Sequence, residues 1–100
     1  MTEHAAAIEI TNPTGLHARP AVKLTKLAKT FPAASTQIAL AEAGPWIDAK
    51  SVVKVMAMKA ARGAFLHIRA SGEQAEAALA ALVALVRRDF DEGPAADASA

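Results

Sequence analysis

A break in hydrophobic period at Asn12–Gly15, the sequence NPTG, constrains the fold of this chain more than any other feature. Before the break, Ile8 and Ile10 alternate with polar residues, which is typical of a half-buried strand. After it, apolar residues recur at intervals of three and four, as on one helix face: Ala21, Leu24, Leu27, Ala28 and Phe31. The sequence therefore predicts a strand, a sharp turn, and a helix that begins at His17 and ends at Pro32.

The middle of the chain predicts two short strands and a short helix. The segment TQIALAEAGPWIDA reads as a hairpin around Ala43-Gly44-Pro45, with the proline at a sheet edge or a strand start. The valine-rich segment SVVKVMAM has strand-like composition but does not alternate. Because Ser51 stands at its head and helix formers follow, we predict a short helix capped by Ser51.

The last part of the chain predicts a strand and a long helix. After Gly63, the residues Leu66, Ile68 and Ala70 alternate with His67 and Arg69, so one face of this strand is expected to be wet. Ser71 and Gln74 match a capping box. The helix that follows has one apolar face, formed by Ala75, Leu79, Leu82, Val86 and Phe90.

This order predicts an α+β fold, an open-faced two-layer sandwich of βαββαβα type. Its four-stranded antiparallel sheet would be covered by helices on one face only. We assign residues 1–90 to this domain. Residues 91–100, with the sequence DEGPAADASA, have the composition of a disordered tail or linker.

Composition excludes several classes of function. The 100 residues contain no cysteine, which rules out disulfides and thiolate metal sites, and the three histidines are too scattered to suggest a metal. A net charge of +1 argues against nucleic-acid binding, and no apolar run reaches the roughly 20 residues that span a bilayer. The early acid in MTEHAAAIEI does not fit a signal peptide. We expect a cytoplasmic domain with no cofactor, no metal and no membrane insertion.

The strongest candidate for chemistry is the segment around His17. Gly15 permits a sharp turn, and Pro20 fits a first helical turn, so His17 falls at or next to the N-cap. The N–H groups of Ala18 and Arg19 would then lack helical partners and favour an anion. The same positive field favours a neutral, nucleophilic imidazole, and Arg19 can contact phosphate oxygens. The alternative is that His17 only begins a helix, although histidine is an unusual cap.

Three blocks of the chain resemble one family. The segment GLHARPA looks like the active-site motif of HPr, the histidine-containing phosphocarrier of the bacterial phosphoenolpyruvate:sugar phosphotransferase system. AKSVVKVM resembles its regulatory-serine segment, and RGAFLHIRASGEQAEAAL its last strand and helix. The resemblance implies the same sandwich, with His17 phosphorylated on Nδ1 by enzyme I and the group passed to sugar-specific IIA domains. The protein would then be a carrier with a phosphohistidine intermediate, assisted by Arg19, rather than a stand-alone catalyst.

The resemblance also implies a docking surface and a regulatory site. Ser51 would match the serine that a dedicated kinase phosphorylates in many Gram-positive bacteria. The docking residues would be the apolar Val22, Val52, Val53 and Met56 and the basic Lys26, Lys29 and Lys54. One departure concerns Lys59, which stands where the family usually has glycine at the end of the short helix. We therefore expect that helix to run on toward Arg62 and to stop at Gly63.

Other interpretations remain open from the sequence. Capping alone explains Ser51. The chain could also be a regulatory binding module, such as a nitrogen-related paralogue, that contacts a serine kinase or a transcriptional regulator through residues 51–56 without using His17. A nucleic-acid module on the open sheet has little support, because Trp46 and Phe65 are almost the only aromatic residues in the strands.

Overall fold

The computed structural model describes residues 3–91, in which strands and helices follow the predicted order. The strands are β1 (Glu3–Glu9), β2 (Ala34–Ala39), β3 (Ile47–Asp48) and β4 (Phe65–Gly72). The helices are α1 (Ala18–Lys29), α2 (Val52–Ala57) and α3 (Ala75–Arg87), and a 3-10 turn, Asp89–Asp91, follows α3.

The strands form one antiparallel sheet in the order β1-β4-β2-β3. Ile8 of β1 lies opposite Leu66 of β4, and Ile68 of β4 lies opposite Ile38 of β2. Alternation along β4 buries Leu66, Ile68 and Ala70 on one face, as the period of two predicts. The predicted open-faced sandwich is confirmed.

The helices close the core over one face of the sheet. The apolar face of α1 is buried at Ala21, Leu24 and Ala28, and α3 buries Ala75, Ala78, Leu82, Leu85 and Val86. Phe90 follows in the 3-10 turn and is fully buried in the same cluster. Burial of a side chain of this size contributes about 2–3 kcal/mol, so the end of α3 is tied firmly to the domain.

Three element ends differ from the prediction. The capping box at Ser71 and Gln74 is wrong, because β4 continues to Gly72 and pairs Ser71 with Ser35 of β2. Gln74 is itself the N-cap residue of α3, and its Oε1 accepts a hydrogen bond from the Ala33 N–H at 2.8 Å. Helix α1 ends at Lys29, before the predicted end at Pro32. Strand β1 begins at Glu3, because β4 is long enough to pair with it along its whole length.

The face of the sheet opposite the helices carries polar side chains. The Arg69 guanidinium lies 4.1 Å from the centre of the Trp46 ring, and its Nε donates to Gln37 Oε1 at 2.7 Å. Within residues 3–91 no helix is long and apolar enough to cross a membrane. The predicted tail starts at Asp91, the last residue described, and its remaining residues, 92–100, lie outside the described part of the chain.

Candidate functional site

His17 is the N-cap residue of α1 and is exposed. Its backbone is extended, with φ −84° and ψ −165°, and its carbonyl accepts the first helical hydrogen bond from the Ala21 N–H at 2.8 Å. Its side chain makes no capping hydrogen bond, unlike the serine, threonine or aspartate usual at this position. The imidazole is therefore accessible, and it does not occupy the N–H groups at the start of the helix with a capping bond.

Those N–H groups belong to Ala18 and Arg19, because Pro20 has none. The first turn of α1 contains no acidic residue that could compensate the positive end of the helix. Two backbone donors next to an exposed imidazole are a suitable environment for an anionic group attached to that imidazole. The sequence-based placement of His17, Ala18 and Arg19 agrees with this geometry.

The loop before His17 is held by close contact with the chain after α2. Gly15 has φ 65°, and a Cβ added to it would lie 2.5 Å from the Ala60 carbonyl oxygen. The next residue, Leu16, is buried and donates its N–H to that same oxygen at 2.9 Å. The buried Asn12 donates from Nδ2 to the Gly15 carbonyl at 2.8 Å. The position of the imidazole therefore depends on a contact between two segments far apart in the chain.

The basic residues of α1 do not all lie at this end of the helix. Arg19 is exposed in the first turn, and among residues 3–91 no carboxylate forms an ion pair with it. Lys23 donates from Nζ to the Phe90 carbonyl at 2.8 Å and so belongs to the packing of the 3-10 turn after α3. Lys26 and Lys29 lie in the last turn, about 14 and 18 Å along the helix axis from His17. Among the basic residues of α1, Arg19 is the one in the first turn, two positions after His17.

Helix α2 presents an apolar patch beside the histidine. Val53 is 74% exposed, Met56 40% and Val22 of α1 39%, whereas Val55 points into the core. Val52 is half-buried, and the Lys54 side chain is exposed at the edge of the patch. Three of the four apolar residues that the resemblance implies for docking are thus exposed, and we refer to Val22, Val53 and Met56 as the apolar patch.

The apolar patch meets the histidine in a shallow depression. We call it the His17 depression, and it is lined by Thr14, Leu16, His17, Met56, Lys59, Ala60 and Ala61. It joins the end of the loop before α1 to the end of α2. Of the apolar patch, Met56 lines this depression, so a partner that contacted Met56 there would also lie against the imidazole.

Ser51 occupies the N-cap of α2. Its Oγ accepts a long hydrogen bond, 3.4 Å, from the Lys54 N–H. The predicted capping role is thus observed, and Ser51 is half-buried rather than freely exposed. Capping of α2 is by itself enough to explain a serine at this position.

The expected extension of α2 toward Arg62 is wrong. The helix ends at Ala57, and Lys59 adopts φ 55°, the left-handed conformation that glycine usually supplies after a helix. The Lys59 N–H donates to the Met56 carbonyl at 3.1 Å, which closes the last turn. The reversal at Lys59 lets the Ala60 carbonyl reach the Leu16 N–H. It also makes Lys59 a neighbour of His17, which sequence reasoning missed.

Comparison with known proteins agrees with the fold and the motif. The family model described as the PTS HPr component phosphorylation site matches residues 5–88. The phosphocarrier protein NPr of Escherichia coli K12 is 41% identical over 86 residues, which cover 85% of this chain and 92% of that protein. The phosphocarrier protein HPr of Pseudomonas aeruginosa is 40% identical over 90 residues, covering 89% of this chain and 97% of that one. The crystal structure of HPr-C-His from Thermoanaerobacter tengcongensis superimposes with a TM-score of 0.80 at 33% identity, covering 93% of this chain and 99% of that one.

An open-faced sandwich with this family match and these relatives defines a class of protein, the phosphocarriers. The chain belongs to the HPr family of the phosphotransferase system, in which its relatives carry the names HPr and NPr.

Proposed function

We propose that this chain carries a phosphoryl group on His17, accepting it from phosphorylated enzyme I and passing it to IIA domains. The observation that carries the proposal is an exposed imidazole at a helix N-terminus to whose first N–H groups it makes no hydrogen bond. A neutral imidazole attacks phosphorus through Nδ1 while the bond from phosphorus to the donor atom of enzyme I breaks. The donor keeps that electron pair, and transfer to a IIA domain repeats the exchange in the other direction.

The surrounding groups support the transferred phosphoryl group rather than form bonds to it. The Ala18 and Arg19 N–H groups and the Arg19 guanidinium face the charge that the phosphoryl oxygens bring to the helix start. Such donors are in place before the reaction, so they need no rearrangement when the charge arrives. Partners dock on the apolar patch and on Val52, and Lys54 attracts acidic groups at its edge.

The experiment is phosphorylation by enzyme I with labelled phosphoenolpyruvate. We expect one acid-labile label per chain, lost in His17→Ala. His67→Ala is the matched control, because His67 lies half-buried in β4, on the sheet, and it should keep the label. Absence of label in the unaltered protein, or label that persists in His17→Ala, would overturn the proposal.

The names of the relatives, HPr and NPr, favour neither a sugar route nor a nitrogen-related route. We propose sugar-specific IIA domains as acceptors, and we test a nitrogen-related IIA domain in parallel with the phosphorylated protein. The acceptor with the higher kcat/KM identifies the route. A preference for the nitrogen-related domain would replace the sugar assignment while leaving the role of His17 intact.

The second candidate is a binding module that acts through residues 51–56 without chemistry at His17. The exposure of Val53 and Met56 favours such contacts. Equal affinity of the unaltered protein and His17→Ala for a regulator, together with no phosphoryl transfer, would support this candidate. Phosphoryl transfer through His17 would reject it as the sole function.

A further inference from the structure

Lys59 lies on the wall of the His17 depression, although 41 positions separate it from the first residue of α1. The two residues line the same hollow, together with Thr14, Leu16, Met56, Ala60 and Ala61. Of these seven residues, His17 and Lys59 are the ones that can carry charge, and none has a carboxylate. An anion attached to the imidazole therefore meets a positive wall with no acidic group in it.

The Lys59 ammonium is available for such a contact. Lys59 is exposed, and within residues 3–91 neither a carboxylate nor a carbonyl pairs with its side chain. Lys23 and Lys50, by contrast, bind backbone carbonyls of Phe90, Phe31 and Ala34 through Nζ. Lys59 thus differs from the lysines whose charge is used in packing.

The backbone at this position would suit another residue better. Its φ of 55° is adopted freely by glycine, whereas a lysine there is strained. Strained non-glycine residues concentrate at functional sites, where the side chain has a use that offsets the strain. The turn itself needs only the backbone, because it is closed by the Lys59 N–H and the Met56 carbonyl.

We infer that Lys59 contacts the phosphoryl group on His17 and stabilises the phosphorylated form of the protein. The inference rests on the proposed function, and it adds Lys59, from the turn after α2, to the donors supplied by α1. The chemical step is unchanged, since the ammonium neither forms nor breaks a covalent bond. Its charge interacts with the phosphoryl oxygens, as lysine does at other phosphate sites.

This contact has a measurable consequence for the energy of the phosphohistidine. A charge that is favourable only after phosphorylation shifts the equilibrium between phosphoenolpyruvate with free protein and pyruvate with phosphorylated protein. Two unit charges about 4 Å apart in water interact by an amount equivalent to about a fivefold change in that equilibrium constant. The effect decreases at high ionic strength, because the site is open to solvent.

The experiment measures this equilibrium constant at low and high salt for four variants, with enzyme I as the catalyst. Lys59→Gly removes the side chain and relieves the backbone, and Lys59→Asn removes the charge with a second residue that tolerates positive φ. Lys59→Arg keeps the charge. Arg62→Ala is the matched control, because Arg62 is exposed in the same loop but is not part of the depression.

We expect Lys59→Gly and Lys59→Asn to lower the equilibrium constant about fivefold at low salt and less at high salt. Lys59→Arg and Arg62→Ala should match the unaltered protein. Weaker docking of enzyme I cannot produce these changes in the equilibrium constant, because enzyme I is the catalyst and a catalyst changes rates but not equilibria. Unchanged constants in both neutral variants would overturn the inference, even if KM for enzyme I rises. Failure of the unaltered protein to accept label would instead overturn the proposed function.

Discussion

Replacement of Gly15 by alanine should destabilise the protein by more than the conformation of the residue alone explains. Gly15 has φ 65°, and a left-handed conformation costs a non-glycine residue about 1–2 kcal/mol. The new Cβ would also lie 2.5 Å from the Ala60 oxygen, which accepts from Leu16. Displacing that oxygen weakens a hydrogen bond whose net contribution is about 1 kcal/mol.

A smaller effect opposes these two. Alanine restricts the unfolded chain more than glycine does, which favours folding by about 0.5 kcal/mol. The net loss is then about 2 kcal/mol, a large part of the stability of about 5–15 kcal/mol that is usual for a domain. We expect urea denaturation to show this loss as a lower midpoint with an unchanged slope.

Gly63→Ala is the matched control for this measurement. Gly63 has φ 94°, which suits alanine no better, but a Cβ added there would meet nothing within 4 Å. A greater loss at Gly15 than at Gly63 must therefore arise from the contact with Ala60. Equal losses at the two positions would refute this account. The same displacement moves the loop before His17, so Gly15→Ala should also accept label from enzyme I more slowly while still folded.

Three further predictions concern the surface and the 3-10 turn after α3. Ser51→Ala should lower the free energy of unfolding by about 0.5 kcal/mol. This value is at the lower end of the range for loss of an N-cap, because the hydrogen bond from Lys54 is long. A loss greater than that of ordinary caps would contradict the prediction. Val53→Ser should change the free energy of unfolding by no more than about 0.5 kcal/mol, because Val53 is 74% exposed. It should weaken the binding of enzyme I about tenfold, as measured by calorimetry. An unchanged Kd would show that Val53 is not part of the docking surface. The hydrogen bond from Arg88 holds the pKa of Asp91 below its ordinary value of 3.8. The ion pair between Arg88 and Asp91 therefore stabilises the fold above pH 3.8, and this stabilisation is lost as the carboxylate is protonated at lower pH. The stability difference between the unaltered protein and Asp91→Asn should accordingly vanish in acid and shrink in high salt, and a difference that grows in acid would show the sign to be wrong.

Much of the fold could be predicted because hydrophobic period is a local property. Alternation at Leu66, Ile68 and Ala70 and the helical spacing at Ala75, Leu82 and Val86 indicate their elements without knowledge of neighbours. The predicted N-cap positions of His17 and Ser51 are likewise correct, since breakers and caps act within a turn of their own position. The predicted capping box at Ser71 was wrong because Ser71 pairs with Ser35 of β2 as part of the sheet. Pairing between strands cannot be detected in a window of a few residues.

The sequence by itself determined which histidine is the candidate for chemistry and that it lies at the start of a helix. It also determined the alternation of residues that leaves one face of the sheet exposed to solvent. Each of these depends on residues within a few positions of one another. Only the tertiary structure decided that α2 stops at Ala57, that Lys59 turns back and that it lies beside His17. The physical reason is the shared contact at the Ala60 oxygen, which accepts from Leu16 and leaves no room for a side chain at Gly15. That contact joins segments 44 positions apart, and their approach is set by the packing of the core between them.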